Sequence, residues 1–344
     1  MSDTLAEISP RDSRAQKQVD SLLEREGIRR DTHLDYTCGV FDDDWQLIAT
    51  GSCYGNTLRC FAVADEHRGE GLLNQVVSHL IEVQFTRGNR HVFLYTKPES
   101  VRFFGDLGFY EIARAEHAVF MENRRDGFSS YLNTLEHAPA GKSAAVVMNA
   151  NPYTLGHRHL LERAAAENDF VHLFLLSEEA GPIPFAVRKM LVQNGLAGLP
   201  NVLLHESGPY IISSATFPSY FLRDDDDAIR SHASLDLAVF KRIAAALGIS
   251  VRYVGDEPSS RVTSLYNAQM AEKLPAQGIG CVIVPRLEQN GRVVSASAVR
   301  QAIHDNMLNT VADMLPETTL RYFRSDAAAP VVAAIRAMAD PKHY

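Results

Sequence analysis

The sequence predicts an α/β protein of two domains, a doubly wound parallel sheet in the C-terminal part preceded by an α+β domain. Three observations predict it. The chain has 344 residues, more than one core usually organises. The stretch His137-Ala138-Pro139-Ala140-Gly141-Lys142 is polar and carries chain breakers, with periodic apolar pattern on either side, which marks a linker. Beyond it, short apolar runs alternate with longer segments of helical spacing, the pattern of parallel strands joined by crossover helices. The domains are expected at residues 1–136 and 143–344, joined by 137–142.

In the second domain the strands are expected where apolar, mostly β-branched runs begin, near Ala145, Phe170, Val202, Val251 and Cys281. Helices are expected from Leu160 to Ala166, Val187 to Leu196, Leu235 to Leu247 and Val262 to Leu274. In such sheets ligands bind beyond the carboxyl ends of the strands, where strand order reverses. In the first domain CGVFDDDWQLIATGSC reads as two strands around an Asp-rich turn, and LRCFAVA as a third. GLLNQVVSHLIEVQFTRG reads as a helix and HVFLYT as a further strand, giving a largely antiparallel sheet.

Composition narrows the function. Apolar residues make up 46% and charged residues 22%, as in ordinary globular proteins. A net charge of -8 with no Lys/Arg-rich run argues against a nucleic-acid partner. Cys38, Cys53, Cys60 and Cys281 form no C-x-x-C pair, so no zinc site is expected. The N-terminus is polar, without an apolar signal core, and no run approaches the ~20 apolar residues of a membrane span. A reducing cytoplasm is the expected location, with no membrane partner.

Two motifs in the second domain carry chemistry. The first strand runs into Asn151-Pro152-Tyr153-Thr154-Leu155-Gly156-His157, a turn into a helix start that Thr154 or Asn151 can cap. Gly156 allows a ligand close to the backbone, and His157 lies in the first turn, where dipole and free N–H groups favour a phosphate. The last strand leads to Val294-Ser295-Ala296-Ser297-Ala298-Val299-Arg300. Ser295 or Ser297 can cap that helix, and Arg300 offers bidentate donors to phosphate oxygens.

Together, T-x-G-H after the first strand and S-x-S-x-x-R after the last resemble the signature of the nucleotidyltransferase superfamily, commonly H-x-G-H and I-S-S-T-x-x-R. Thr154 fills the first histidine slot and Ala296 replaces the second serine. The longer segments NPYTLGHRHLLERA, VHLFLLSEEAGPIPF, GPYIISSATFPSYFLRDDDD, VGDEPSSRVTSLYNAQM and VSASAVRQAI resemble one family, the [citrate (pro-3S)-lyase] ligases, also called acetate:citrate-lyase ligases, over essentially the whole chain.

The resemblance implies a Rossmann-like nucleotidyltransferase domain and an AMP-forming ligase. Such an enzyme acetylates the thiol of the citrate lyase prosthetic group, a CoA-derived phosphopantetheine arm on the acyl carrier subunit. ATP and acetate, with Mg2+, give acetyl-adenylate and pyrophosphate, and the thiol then takes the acetyl group. His157 and Arg300 are assigned to the phosphates, supported by Ser295 and Ser297, with Asn151, Thr154 and Gly156 shaping the nucleotide loop. Glu257 is placed to bind ribose, adenine or magnesium, or is a solvated loop acid. Asp224 to Asp227 read as a solvated loop. Ser213, Ser214 and Thr216 line the acyl or pantetheine pocket or start a helix. No protein-built metal site is expected.

In the first domain FAVADEHRGEGLLNQVVSHLI places Gly69 and Gly71 ahead of a helix, an anion nest. With SVRFFGDLGFYEI downstream, it resembles the GCN5-related N-acetyltransferases, although Glu66 stands where that family has Gln or Arg. Arg68, Gly69 and Gly71 are assigned to the CoA-like arm. The competing readings are a bifunctional N-acetyltransferase and nucleotidyltransferase, a pantetheine-phosphate-type adenylyltransferase, and a non-catalytic carrier-protein binder.

Overall fold

A computed structural model describes residues 3–31, 33–179, 181–211, 225–256 and 261–342. The described residues group into two compact units, those within 1–130 and 217–238, and those within 131–216 and 239–344.

The first unit contains β1 (Thr4–Glu7), α1 (Ser13–Arg25), β2 (Tyr36–Phe41), β3 (Leu47–Tyr54), β4 (Thr57–Val63), α2 (Leu72–Thr86), β5 (Phe93–Thr96), α3 (Val101–Asp106), β6 (Tyr110–Arg114) and β7 (Val119–Glu122), with α4 (Gly127–Thr134) following. The strands form one seven-stranded sheet in the order β1-β2-β3-β4-β5-β7-β6. Among the described residues every pairing in it is antiparallel but one: β4 runs parallel to β5. That pairing is short, Thr57 to Phe93 and Leu58 to Leu94, so the two strands part beyond it and leave a cleft. Helix α2 covers the sheet because Leu72, Val76, Val77 and Leu80 recur at helical spacing and are all buried. The sequence reading missed β1, a four-residue strand with only a half-buried centre, whose pattern is too short to register.

The second unit contains β8 (Ser143–Met148), α5 (Leu155–Glu167), β9 (Phe170–Leu175), α6 (Phe185–Gly195), β10 (Val202–Glu206), the last part of α7 (Asp225–Leu247), from residue 239 on, β11 (Ile249–Gly255), α8 (Arg261–Lys273), β12 (Gly280–Val284), the hairpin β13 (Glu288–Gln289) and β14 (Arg292–Val293), and the helices α9 (Ala296–His304), α10 (Glu317–Phe323) and α11 (Ala329–Arg336). Its five-stranded sheet has the order β10-β9-β8-β11-β12, all parallel. Chain order therefore reverses between β8 and β11, and the carboxyl ends there are where such sheets bind ligands. The small and β-branched run of β8 is buried along nearly its whole length, as a central parallel strand requires. Val146, Leu161, Leu173, Leu191 and Val299 share the core.

Candidate active site

The chain leaves β8 through a tight turn in which Ala150 takes φ 52°, a left-handed conformation that side chains rarely adopt and that tends to persist at functional sites. Helix α5 then starts on a reciprocal cap. The Thr154 hydroxyl accepts from His157 N–H at 3.5 Å, and Thr154 N–H donates to His157 Nδ1 at 3.1 Å. Thr154 is thus the cap of the two candidates. Asn151 has another position: it is 3% exposed, and among the described residues neither its amide nitrogen nor its oxygen has a partner. A buried amide left unpaired costs about 1–3 kcal/mol, so a group at the carboxyl end of β8 that waits for a ligand is a functional signal.

The second motif folds against the first. Ser295 caps α9, accepting from Ala298 N–H at 3.4 Å, and its hydroxyl lies 2.7 Å from that of Ser297. The Val294 carbonyl would stand 3.5 Å from a Cβ at Gly156. Arg300 Nη1 donates to the Asn151 carbonyl at 2.6 Å. The starts of α5 and α9, far apart in sequence, therefore share one place.

Arg300 has main-chain partners in this structure. The expected planar donor to phosphate is buried, and besides Asn151 it donates through Nε to the Pro341 carbonyl at 2.7 Å and through Nη2 to the Lys342 carbonyl at 2.8 Å. The guanidinium ties the C-terminal segment to the β8 turn.

His157 is a neutral donor. Burial and the neighbouring Arg286 cation push its ring down to about 4. With Nδ1 accepting from Thr154 N–H, the proton of the neutral ring sits on Nε2. The ring therefore carries one N–H and no charge.

Gly156 has a φ that any residue adopts, and the atoms nearest to an added methyl group would be at 3.5 Å, ordinary contact. Packing within the protein thus does not require glycine here. Gly156→Ala is expected to fold at wild-type stability or gain up to ~1 kcal/mol, while raising the KM for a nucleotide substrate about ten-fold. Thermal unfolding and substrate titration check it; an unchanged KM would show that no ligand approaches this backbone.

Other expected positions divide as follows. Glu257, Ser213, Ser214, Thr216 and Asp224 lie outside the described residues. Asp225 to Asp227, expected in a solvated loop, instead open helix α7. Among the described residues no group of three or more His, Cys, Asp or Glu side chains is arranged to hold a metal. In the first unit Gly69 and Gly71 take φ +89° and +81°, which explains glycine at both places. They border a cavity of about 570 Å³ in the β4–β5 cleft, lined also by Phe61, Arg68, Tyr95 and Phe103. Arg68 is paired with Glu26 and Asp65, so its charge is already balanced.

Comparison with known proteins decides the family. Residues 143–323 match the family model described as the citrate lyase ligase C-terminal domain. The [citrate [pro-3S]-lyase] ligase of Escherichia coli strain K12 is 34% identical over 343 residues, covering 95% of this chain and 97% of that one. The Klebsiella pneumoniae ligase of the same name is 39% identical over 285 residues, 80% of this chain and 83% of that one. The chain belongs to the [citrate (pro-3S)-lyase] ligase family. It is an enzyme. Among solved structures, Escherichia coli ElaA is 14% identical, with 36% of this ligase and 100% of that chain covered at a TM-score of 0.32. A GNAT-family acetyltransferase from Staphylococcus aureus Mu50 is 11% identical, with 35% and 98% covered at a TM-score of 0.31.

Two residues of the ligase site escaped the sequence reading. Arg188, on α6 and 1% exposed, donates to the carbonyls of Asn149 at 2.9 Å and Leu176 at 2.8 Å, to that of Ile183 at 3.2 Å, and to that of Glu178. It fixes the loops that leave β8 and β9. Arg286, just after β12, is half-buried, donates to the Asp256 carbonyl at 3.0 Å and acts electrostatically on His157. An arginine inside a helical pattern or after a strand carries no sequence signal of either role.

The ligase also buries a stacked histidine pair, His172 on β9 and His205 on β10, whose rings meet at 2.9 Å between Nδ1 and Nε2. Burial pushes each ring down to about 4, as for His157. Unfolded histidines protonate near 6.5, so between about pH 6.5 and 4 the unfolded chain binds more protons than the folded one. The stabilisation from neutral rings is complete above pH 6.5 and is lost as pH falls toward 4. The unfolding free energy from chemical denaturation should fall across that window, by on the order of a few kcal/mol per ring at most. His172→Gln with His205→Gln should flatten the profile; an equally steep profile would exclude the pair.

Proposed function

We propose that this ligase uses ATP and Mg2+ to activate acetate and passes the acetyl group to the thiol of a CoA-derived phosphopantetheine arm on the acyl carrier subunit of citrate lyase. One observation carries the reading. At the reversal of strand order, two helix starts, the Asn151 amide, unpartnered among the described residues, and the Nε2–H of His157 converge, and all of them offer N–H donors to an anionic ligand.

A carboxylate oxygen of acetate attacks the α-phosphorus of ATP. The bond to the bridging oxygen of the β-phosphate breaks, and pyrophosphate leaves with that electron pair. Acetate is its own nucleophile, so the site has to align and stabilise charge, and no strong base is required. The free N–H groups of α5 and α9, the His157 Nε2–H, and the Ser295 and Ser297 hydroxyls are the donors for that charge. Asn151 and Thr154 shape the loop under the nucleotide, Gly156 keeps its backbone within reach, and Arg286 adds a cation beside His157. Arg300 holds the Asn151 turn, and contacts phosphate only when the Pro341 and Lys342 carbonyls release it. Glu257 is assigned to the ribose, adenine or Mg2+, which would arrive on the triphosphate.

In the second step the thiol sulfur attacks the acetyl carbon, its proton goes to solvent, and AMP leaves. The β4–β5 cleft with Arg68, Gly69 and Gly71 is assigned to the arm. Residues 143–344 are assigned the ATP chemistry and 1–136 the arm, with 137–142 as linker. Four free thiols suit a reducing cytoplasm.

The test is pyrophosphate exchange into ATP with and without acetate, followed by AMP release on adding thiol-form carrier. Exchange that needs acetate supports the reading. Exchange that needs phosphopantetheine in place of acetate would make the chain a pantetheine-phosphate-type adenylyltransferase, and acetyl-CoA consumption without ATP would make it an N-acetyltransferase.

A further inference from the structure

Helix α1 presents a cationic stripe that the catalytic reading does not use. Its buried face is Ala15, Val19, Leu22 and Leu23. On the opposite face Arg14, Lys17, Ser21 and Arg25 line an open groove of about 770 Å³, whose far side includes Gln46 and His67. Arg14, Lys17 and Arg25 are exposed and have no ion pair among the described residues. The acids nearby are fewer than the cations. Asp20 pairs with Arg30 at 2.9 Å, and Asp42 accepts the turn N–H groups of Asp44 and Gln46 at 3.0 and 2.8 Å. The lining thus holds two acids, Asp42 and Glu66, against the three cations of the stripe. A basic stripe without ion pairs among the described residues, on a chain of net charge -8, is a local reversal of sign that suits an anionic partner.

The size of the stripe decides what kind. From Arg14 to Arg25 the helix rises about 16 Å, too far for three side chains to close on one small anion but matched to a protein surface. The helix is fixed for the purpose: Gln18 donates to the Trp45 carbonyl at 3.2 Å and accepts from Leu47 N–H at 2.7 Å. Trp45, the chain's single tryptophan, is 60% exposed at the neighbouring turn, and exposed aromatics of this kind anchor interfaces. The Asp43 and Asp44 carboxylates beside it are exposed as well, which sets the opposite sign at one end and favours a single docking orientation. The groove also adjoins the β4–β5 cleft, since His67 lines both.

We propose that the groove along α1 is the docking surface for an acidic face of the carrier protein, held so that its thiol arm enters the adjoining β4–β5 cleft. This rests on the acetyl-transfer reading above. The test uses the full-length enzyme, the thiol-form acyl carrier subunit, and CoA as a free thiol of the same class. The triple variant Arg14→Glu, Lys17→Glu, Arg25→Glu should raise the KM for the carrier about ten-fold or more with kcat unchanged, an effect that shrinks at high salt. Acetate-dependent pyrophosphate exchange and acetylation of CoA should stay at wild-type rates. The milder triple Arg14→Gln, Lys17→Gln, Arg25→Gln should give a smaller rise of the same sign, which keeps the test open if the reversal harms folding. Trp45 fluorescence should respond to the wild-type carrier and lose that response in the variants. A wild-type KM for the carrier in both variants would overturn the docking surface. Absence of acetate-dependent exchange in the unaltered enzyme would remove the reading beneath it, and the proposal with it.

Discussion

Replacing His157 with alanine is expected to lower acetate-dependent pyrophosphate exchange by about 10²–10³-fold, the usual effect of deleting one preorganised donor. The fold should survive, with a loss of about 1 kcal/mol from the broken cap. Because the ring is held neutral, with burial and Arg286 lowering it to about 4, its contribution should not fall away as pH rises from 6 to 8. A cationic histidine would lose its effect across that range. Exchange measured over that range in wild type and in His157→Gln, which retains a donor, separates the two. Wild-type exchange in the alanine variant would remove His157 from the site.

Arg300→Lys is expected to damage both stability and activity although charge is kept. The guanidinium makes three directed bonds to carbonyls, those of Asn151, Pro341 and Lys342. An ammonium on a flexible stem cannot reach all of them. Hydrogen bonds to charged groups are worth about 1.5–3 kcal/mol each, so losing one or two amounts to roughly 1.5–6 kcal/mol in chemical denaturation. Release of the Asn151 turn should lower exchange by about 10–10²-fold, since a misplacement of about 1 Å can cost about 10²-fold. Lowered exchange at unchanged stability would indicate a direct phosphate contact instead, and no change in either would leave Arg300 without a role.

The sequence by itself determined the class of both sheets and the positions of the two motifs. The five strands of the second sheet could be read because buried parallel strands need continuous apolar runs, and runs such as FVHLFL at 170–175 have no other stable use between helical segments. Thr154 and Ser295 were visible as helix starts because capping is local, requiring only a hydroxyl three residues before a free N–H. Only the tertiary structure decided what those motifs do to each other. That Arg300 bonds to the Asn151 carbonyl, 149 positions away in the chain, follows from the packing of α9 beside the β8 turn. Arg188 and Arg286 were illegible for the same reason, since their partners are main-chain carbonyls and a ring brought near by strand order. The choice between Thr154 and Asn151 as cap was likewise a tertiary matter. Both residue types cap well in isolation, and it is the sharp turn at Ala150 that buries Asn151 and leaves its amide without a partner among the described residues. The charge of His157 was decided there too, because burial and a neighbouring cation fix a ring's protonation, and neither is written in the spacing of a motif.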